Sequence, residues 1–228
     1  MNKGIYTLAN DVVFDQLIAL LNSIEVNYGT NVPVCVIPYD DRTLKVKAEI
    51  EKRENVELFN DQNILNEWKS FATKVWENNS VAIKTWEKKG IFDLHRLGTH
   101  ARFCGFDNNS MFSDFIYCDA DILILNSLNY ILDKLLEYDF IVYDFQYKDP
   151  SHVYNVNSLQ LFNIFSEQRI NSEIFCSGFY ASKKSLFNKD FREKIIDQIK
   201  NRDAEIIYPW APDQTILNYP SFVTFRNN

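Results

Sequence analysis

The chain has 228 residues, of which 46% are hydrophobic, 24% charged and 15% aromatic, and its formal net charge at pH 7 is -7. That composition is ordinary for a globular domain, and the length permits one continuous core. The acidic balance argues against a surface that grips nucleic-acid backbone, which needs clustered Lys and Arg.

The opening MNKGIYTLAND lacks the apolar stretch of a signal peptide, and no apolar run is long enough to span a bilayer. A cytoplasmic protein without an integral membrane segment is therefore expected. Cys35, Cys104, Cys118 and Cys176 form no CxxC pair. They read as reduced thiols, not as a zinc site or a disulfide framework.

Strand and helix signals alternate along the chain. KGIYTLA reads as a buried strand. The next segment, NDVVFDQLIALLNSIEVNYG, repeats apolar residues at helical spacing through Val13, Leu17, Leu20, Leu21 and Ile24, with Asn10 as N-cap and Gly29 as stop. VPVCVI is a second strand, TLKVKAEIEKR a polar helix and NVELF a short strand. Residues 61–104 read as largely helical. DFIYC is a strand, LNYILDKLLEY a helix and DFIVYDF another strand. EIFCSGFYAS is strand-like, and KDFREKIIDQIKN is a helix. Strands joined by helical crossovers predict an α/β fold with a mainly parallel sheet covered by helices.

Ligands in such sheets collect beyond the carboxyl ends of the strands. Polar residues gather at three such ends: Thr7, Asn10 and Asp11; Asp40 and Asp41; Asp119 and Asp121. The last pair interrupts the apolar run FIYCDADILIL. In an extended segment i and i+2 face one way, so Asp119 and Asp121 would share a side and Ala120 would face the other. A divalent cation relieves the repulsion between two such carboxylates, and oxygen ligands suit Mg²⁺ or Mn²⁺. A bare DxD is more often a strand end capping the next turn. A phosphatase-type nucleophile calls for Thr or Val four residues after the first Asp, where this chain has Leu123.

YCDADILILNSL resembles the metal-binding segment of nucleotide-sugar glycosyltransferases with the GT-A fold, especially the glycogenin-like and galactosyltransferase-like group known as family eight. Three more segments agree in order: IYTLANDVVFDQLIALLNSI, EIFCSGFYASKK and PDQTILN, so the likeness runs over residues 3–219. It implies a GT-A, Rossmann-like mixed sheet in a single domain over residues 1–228. By that resemblance Thr7, Leu8 and Asn10 line the nucleotide pocket, and Arg96 or Arg102 sits near the diphosphate. Asp119 and Asp121 hold Mn²⁺ or Mg²⁺, Ser177 and Gly178 form the acceptor side, and Asp213 and Gln214 lie beside the anomeric carbon.

Two departures stand out. Cys176 replaces the family's Asn before Ser-Gly, and the family's C-terminal metal-binding His has no counterpart, because His95, His100 and His152 all precede its place. A missing C-terminal segment, another group in the site and weak metal binding each account for that.

The implied reaction moves a sugar from a nucleoside-diphosphate sugar, with UDP favoured, to an acceptor hydroxyl. The transition state carries oxocarbenium character while charge grows on the leaving diphosphate. Family membership implies retention of anomeric configuration; inversion would need a carboxylate base, with Asp213 the first candidate. The acceptor is not readable, and a homodimer stays open. The alternatives are a non-catalytic sugar-nucleotide-binding or scaffold domain and, ranked lower, a sugar nucleotidylyltransferase, whose Gly-rich loop has no match in TLANDVVFD.

Overall fold

A computed structural model describes residues 2–142 and 149–219. In chain order its elements are β1 (Lys3–Ala9), α1 (Phe14–Asn27), β2 (Val34–Pro38), α2 (Leu44–Ile50), β3 (Val56–Leu58), α3 (Gln62–Glu77) and α4 (Ser80–Glu87). A stretch of 3-10 turns over Leu97–Phe106 follows. Then come β4 (Asp114–Cys118), α5 (Asn129–Lys134), β5 (Phe140–Val142), α6 (Leu161–Ile164), α7 (Glu167–Ser172), β6 (Phe179–Lys183), α8 (Lys189–Gln198) and α9 (Pro212–Asn218).

The sheet has strand order β3-β2-β1-β4-β6-β5. Strand β1 is parallel to both β2 and β4, and β2 is parallel to β3. Strand β6 is antiparallel to β4, which makes the sheet mixed but mainly parallel, as expected. The chain divides into two compact units. The first comprises Met1–Asn66, Ala101–Ile141 and Gly178–Phe187; the second comprises Glu67–His100, Val142–Ser177 and Asn188–Asn228.

In the first unit β1 alternates its side chains between two packed faces. Ile5 and Ala9 join Leu17, Leu20, Leu21 and Ile24 of α1 in one apolar cluster. Each fully buried aliphatic side chain there contributes roughly 1.5–3 kcal/mol before conformational entropy is set against it. Tyr6 faces the other way, within 4.9 Å of the Phe112 ring and 5.3 Å of the Phe115 ring. Gly4 fits beneath Phe112, because an added Cβ would clash with the far edge of that ring.

Several predicted boundaries shift, each for a physical reason. Asn10 does not cap α1, whose first residue is Phe14. Its amide is spent elsewhere: Oδ1 accepts from the Val12 N–H at 3.0 Å and Nδ2 donates to Asp40 Oδ2 at 3.0 Å. Gly29 does close α1, with φ at +138° and its N–H on the Ile24 carbonyl at 2.9 Å. Helix α2 is capped from a distance, by Asp11 Oδ1 accepting from the N–H groups of Lys45 and Val46 at 3.0 and 3.1 Å. The segment EIFCSGFYAS is extended strand only from Phe179 onward. In DFIVYDF, β5 covers Phe140–Val142, and residues 143–145 lie outside the described residues.

The second unit is built around tryptophan. Trp76 and Trp86 are at most 1% exposed, with rings 5.2 Å apart. Trp76 Nε1 donates to His100 Nε2 at 3.0 Å, and His100 Nδ1 faces the Leu97 carbonyl at 3.1 Å. A carbonyl only accepts, so this imidazole carries its proton on Nδ1 and is neutral. Asn79 caps α4 through the Ala82 N–H at 2.9 Å and donates to the Ala204 carbonyl at 3.2 Å.

Candidate active site

In the first unit the loops after β1 and β2 are tied together by the Asn10–Asp40 hydrogen bond. Arg42 also binds Asp40, and that bond holds the Asp40 carboxyl below the usual carboxylate range. Thr7 and Leu8 lie within β1, Thr7 fully enclosed and Leu8 nearly so. The Thr7 hydroxyl is buried without a hydrogen-bond partner.

The end of β4 carries the richer arrangement. The Asp119 N–H donates to the Gly178 carbonyl at 2.8 Å, extending the β4–β6 pairing one residue past Cys118. The chain then turns: the Ile122 N–H donates back to the Asp119 carbonyl at 3.2 Å. Asp119, Ala120 and Asp121 are therefore not an extended segment, and the alternation rule does not apply to them. The turn tucks Ala120 inside, leaves Asp119 partly open and exposes Asp121. Beyond it Ile124 is pinned to α1, its N–H on Ser23 Oγ at 2.9 Å and its carbonyl on Asn27 Nδ2 at 2.9 Å.

Two buried groups hold Asp119. The Tyr117 hydroxyl donates to Oδ1 at 2.7 Å, and Arg102 Nη2 lies 3.1 Å from the same oxygen. The Arg102 guanidinium also sits 4.8 Å from the centre of the Tyr117 ring, a cation–π contact. Burial pushes the Tyr117 phenol far above its ordinary range, so it stays neutral and donates. Of the two arginines considered for the diphosphate, Arg102 is buried against Asp119. Arg96 is an exposed residue of the second unit with φ at +51°.

In the second unit α9 begins with Pro212, which suits the first turn because its missing N–H would have no partner there. Every residue of this helix is buried. Ser177 Oγ donates to Asp213 Oδ2 at 3.0 Å, and the Ser177 N–H donates to Gln214 Oε1 at 3.3 Å. Gln214 Nε2 donates to the His152 carbonyl at 2.9 Å. One turn further, Asn218 Oδ1 accepts from the Phe175 N–H and Nδ2 donates to the Phe175 carbonyl, both at 2.9 Å. The structure thus brings Ser177, Asp213 and Gln214 into one hydrogen-bonded set.

None of the histidines completes a cluster with the acid pair: among the described residues no group of three or more His, Cys, Asp and Glu side chains could hold a metal ion. His100 is committed to Trp76, and His95 packs 6.0 Å from Trp86 and 5.4 Å from Trp210. His152 is exposed, 3.6 Å from Asp149.

Sequence reasoning missed Tyr117 and Asn218. Tyr117 had a usable signal, since it stands in the strand DFIYC two places before Asp119, within reach of that acid once the chain leaves the strand. Asn218 closes the segment PDQTILN, but its bonds to the Phe175 backbone 43 residues away leave no local signal.

No protein-family model and no curated protein matches the sequence. Solved structures do. Mouse xyloside xylosyltransferase 1 matches with a TM-score of 0.65 at 8% identity, over 96% of this chain and 81% of that one. Galactosyltransferase LgtC, solved with donor and acceptor sugar analogues, matches with a TM-score of 0.61 at 15% identity, over 94% of this chain and 69% of that one. This chain has the GT-A fold. A third neighbour, the mannosyltransferase Ktr4p of S. cerevisiae, matches with a TM-score of 0.50 at 12% identity, over 94% of this chain and 65% of that one. At these identities the likeness is one of fold, and no helix among the described residues is long and apolar enough to cross a membrane.

Proposed function

We propose that the protein is a glycosyltransferase that moves a sugar from a nucleoside-diphosphate sugar, with a UDP-sugar favoured, to an acceptor hydroxyl with retention of configuration. The observation that carries this is the set Arg102, Tyr117 and Asp119 at the end of β4 in a GT-A sheet. A buried cation beside an anchored carboxylate at a strand end is suited to a diphosphate leaving group.

Asp119 and Asp121 fit a divalent cation in their chemistry: both offer carboxylate oxygen, one is held in place and the other is exposed at the same turn. They would hold Mn²⁺ or Mg²⁺, with remaining positions open to water or phosphate oxygens. Such an ion supplies Lewis-acid stabilisation of charge on the leaving diphosphate.

This chain's own residues would do the rest. Arg102 neutralises charge on the departing phosphates. Tyr117 keeps Asp119 in one orientation. Asp213 and Gln214 serve the reacting carbon, and Ser177 and Gly178 serve the acceptor. Asn10, Thr7 and Leu8 are proposed on the nucleotide side.

The test is a thermal-shift screen of UDP-, GDP-, CDP- and dTDP-sugars with Mn²⁺, since a ligand that binds only the folded state raises its stability by mass action. A shift with a UDP-sugar that needs Mn²⁺ supports the proposal. Flat curves with every donor would sink it.

A further inference from the structure

Three of the four tryptophans, Trp68, Trp76 and Trp86, are at most 1% exposed and lie in the core of the second unit. Trp210 is different. It is only half-buried, and it stands on a short turn two residues before α9. Residues 208–211 are all half-buried, and part of the Trp210 indole stays in water at the entrance to the buried helix.

The turn is fixed on its approach and at its exit. Before it, Ile207 pairs with Tyr154 in an antiparallel bridge, and the Asn155 N–H donates to the Ile206 carbonyl at 2.9 Å. At its centre, the indole N–H of Trp86 donates to the Pro209 carbonyl at 3.1 Å. After it, Pro212 starts the fully buried α9. The ring is steadied as well: His95 meets it at 5.4 Å and 74°, and His95 is backed by Trp86 at 6.0 Å. A pre-ordered ring loses little side-chain freedom when something settles on it.

We infer that Trp210, backed by His95, is a stacking platform for a pyranose ring of the acceptor, so that the acceptor class is a glycan or glycoside. The inference rests on the glycosyltransferase proposal. An indole face is the negative side of a quadrupole and attracts the weakly positive, apolar C–H face of a sugar. Trp210 lies three residues before Asp213 in the unit that also holds Ser177. A protein side chain as acceptor would not call for a flat aromatic ledge.

The experiment is a saturation-transfer NMR titration of the full chain with the methyl pyranosides of galactose, glucose, mannose and xylose, alongside UDP with Mn²⁺. At least one pyranoside is expected to bind, with its saturation concentrated on the C–H protons of one ring face. Trp210→Ala should weaken that binding about tenfold, Trp210→Phe should keep most of it, and UDP affinity should be the same in all three proteins. The inference is overturned if no pyranoside binds the wild type, or if Trp210→Ala leaves pyranoside binding unchanged. It is also overturned if the Phe variant loses as much as the Ala variant, or if UDP affinity falls with that of the sugar. Absence of UDP binding to the wild type, with the pyranoside result intact, would count against the donor assignment and leave the platform standing.

Discussion

The hydroxyl of Tyr117 donates a 2.7 Å hydrogen bond to Oδ1 of Asp119, two residues further along the chain. The donor is fully buried and the acceptor is partly open, so a core side chain sets the orientation of a partly exposed acid. Tyr117→Phe removes that bond and little else, because its ring contacts with Tyr180 and Arg102 need no hydroxyl. A loss of about 1 kcal/mol in urea unfolding is expected, discounted for the exposure of Asp119. Donor affinity in the presence of Mn²⁺ should fall several-fold. Unchanged donor affinity with lowered stability would make the bond structural only.

Gln214 uses both ends of its amide, accepting from the Ser177 N–H and donating to the His152 carbonyl. Gln214→Glu keeps the shape but replaces the donor by an oxygen aimed at a carbonyl. A destabilisation of about 1–3 kcal/mol is expected, the cost of an unsatisfied buried pair, together with a loss of transfer activity. Calorimetry and a transfer assay on the same preparation would check both. A Glu variant as stable as the wild type would mean that the amide orientation is not as drawn.

Gly4→Ala tests the packing that supports β1. The new methyl would clash with the far edge of the Phe112 ring, which is itself packed on Tyr6. A loss of about 1–3 kcal/mol in chemical denaturation is expected from overpacking, with donor affinity retained in the folded fraction.

His95 gives the protein an acid-sensitive element. Burial, helped by the charge of Arg96, lowers its pKa from 6.5. The unfolded chain therefore takes up this proton before the folded one does, and stability is lost as pH falls from about 6.5 through the lower folded value. Melting temperature between about pH 7 and pH 5 should decline less steeply in His95→Gln than in the wild type. Parallel declines would show that other groups set the acid limb.

The parts of the fold that could be read from sequence were those governed by local pattern. KGIYTLA and DFIYC fall on the bounds of β1 and β4, because their apolar runs decide the backbone locally. The stop at Gly29 is of the same kind, since its φ of +138° is costly for any other residue. What could not be read depends on distant partners. EIFC looks like strand, yet both Phe175 backbone groups are taken by the Asn218 side chain, so no ladder forms there. Asn10 looks like a helix cap, yet Asp40 claims its amide. The acid pair was visible, but its turn and its anchoring by Arg102 and Tyr117 required the β4–β6 pairing at Gly178.

The central claim is that Asp119 and Asp121 hold the cation through which this protein binds its donor. Isothermal titration of UDP-sugar into the wild type, Asp119→Asn and Asp121→Asn, each with and without Mn²⁺, tests it most directly. The asparagine variants keep the volume of the acids and lose their charge. The expected result is a Mn²⁺-dependent gain in donor affinity of about tenfold or more in the wild type, abolished in both variants, with all three proteins folded. Equal Mn²⁺-dependent binding by the wild type and both variants would contradict the claim.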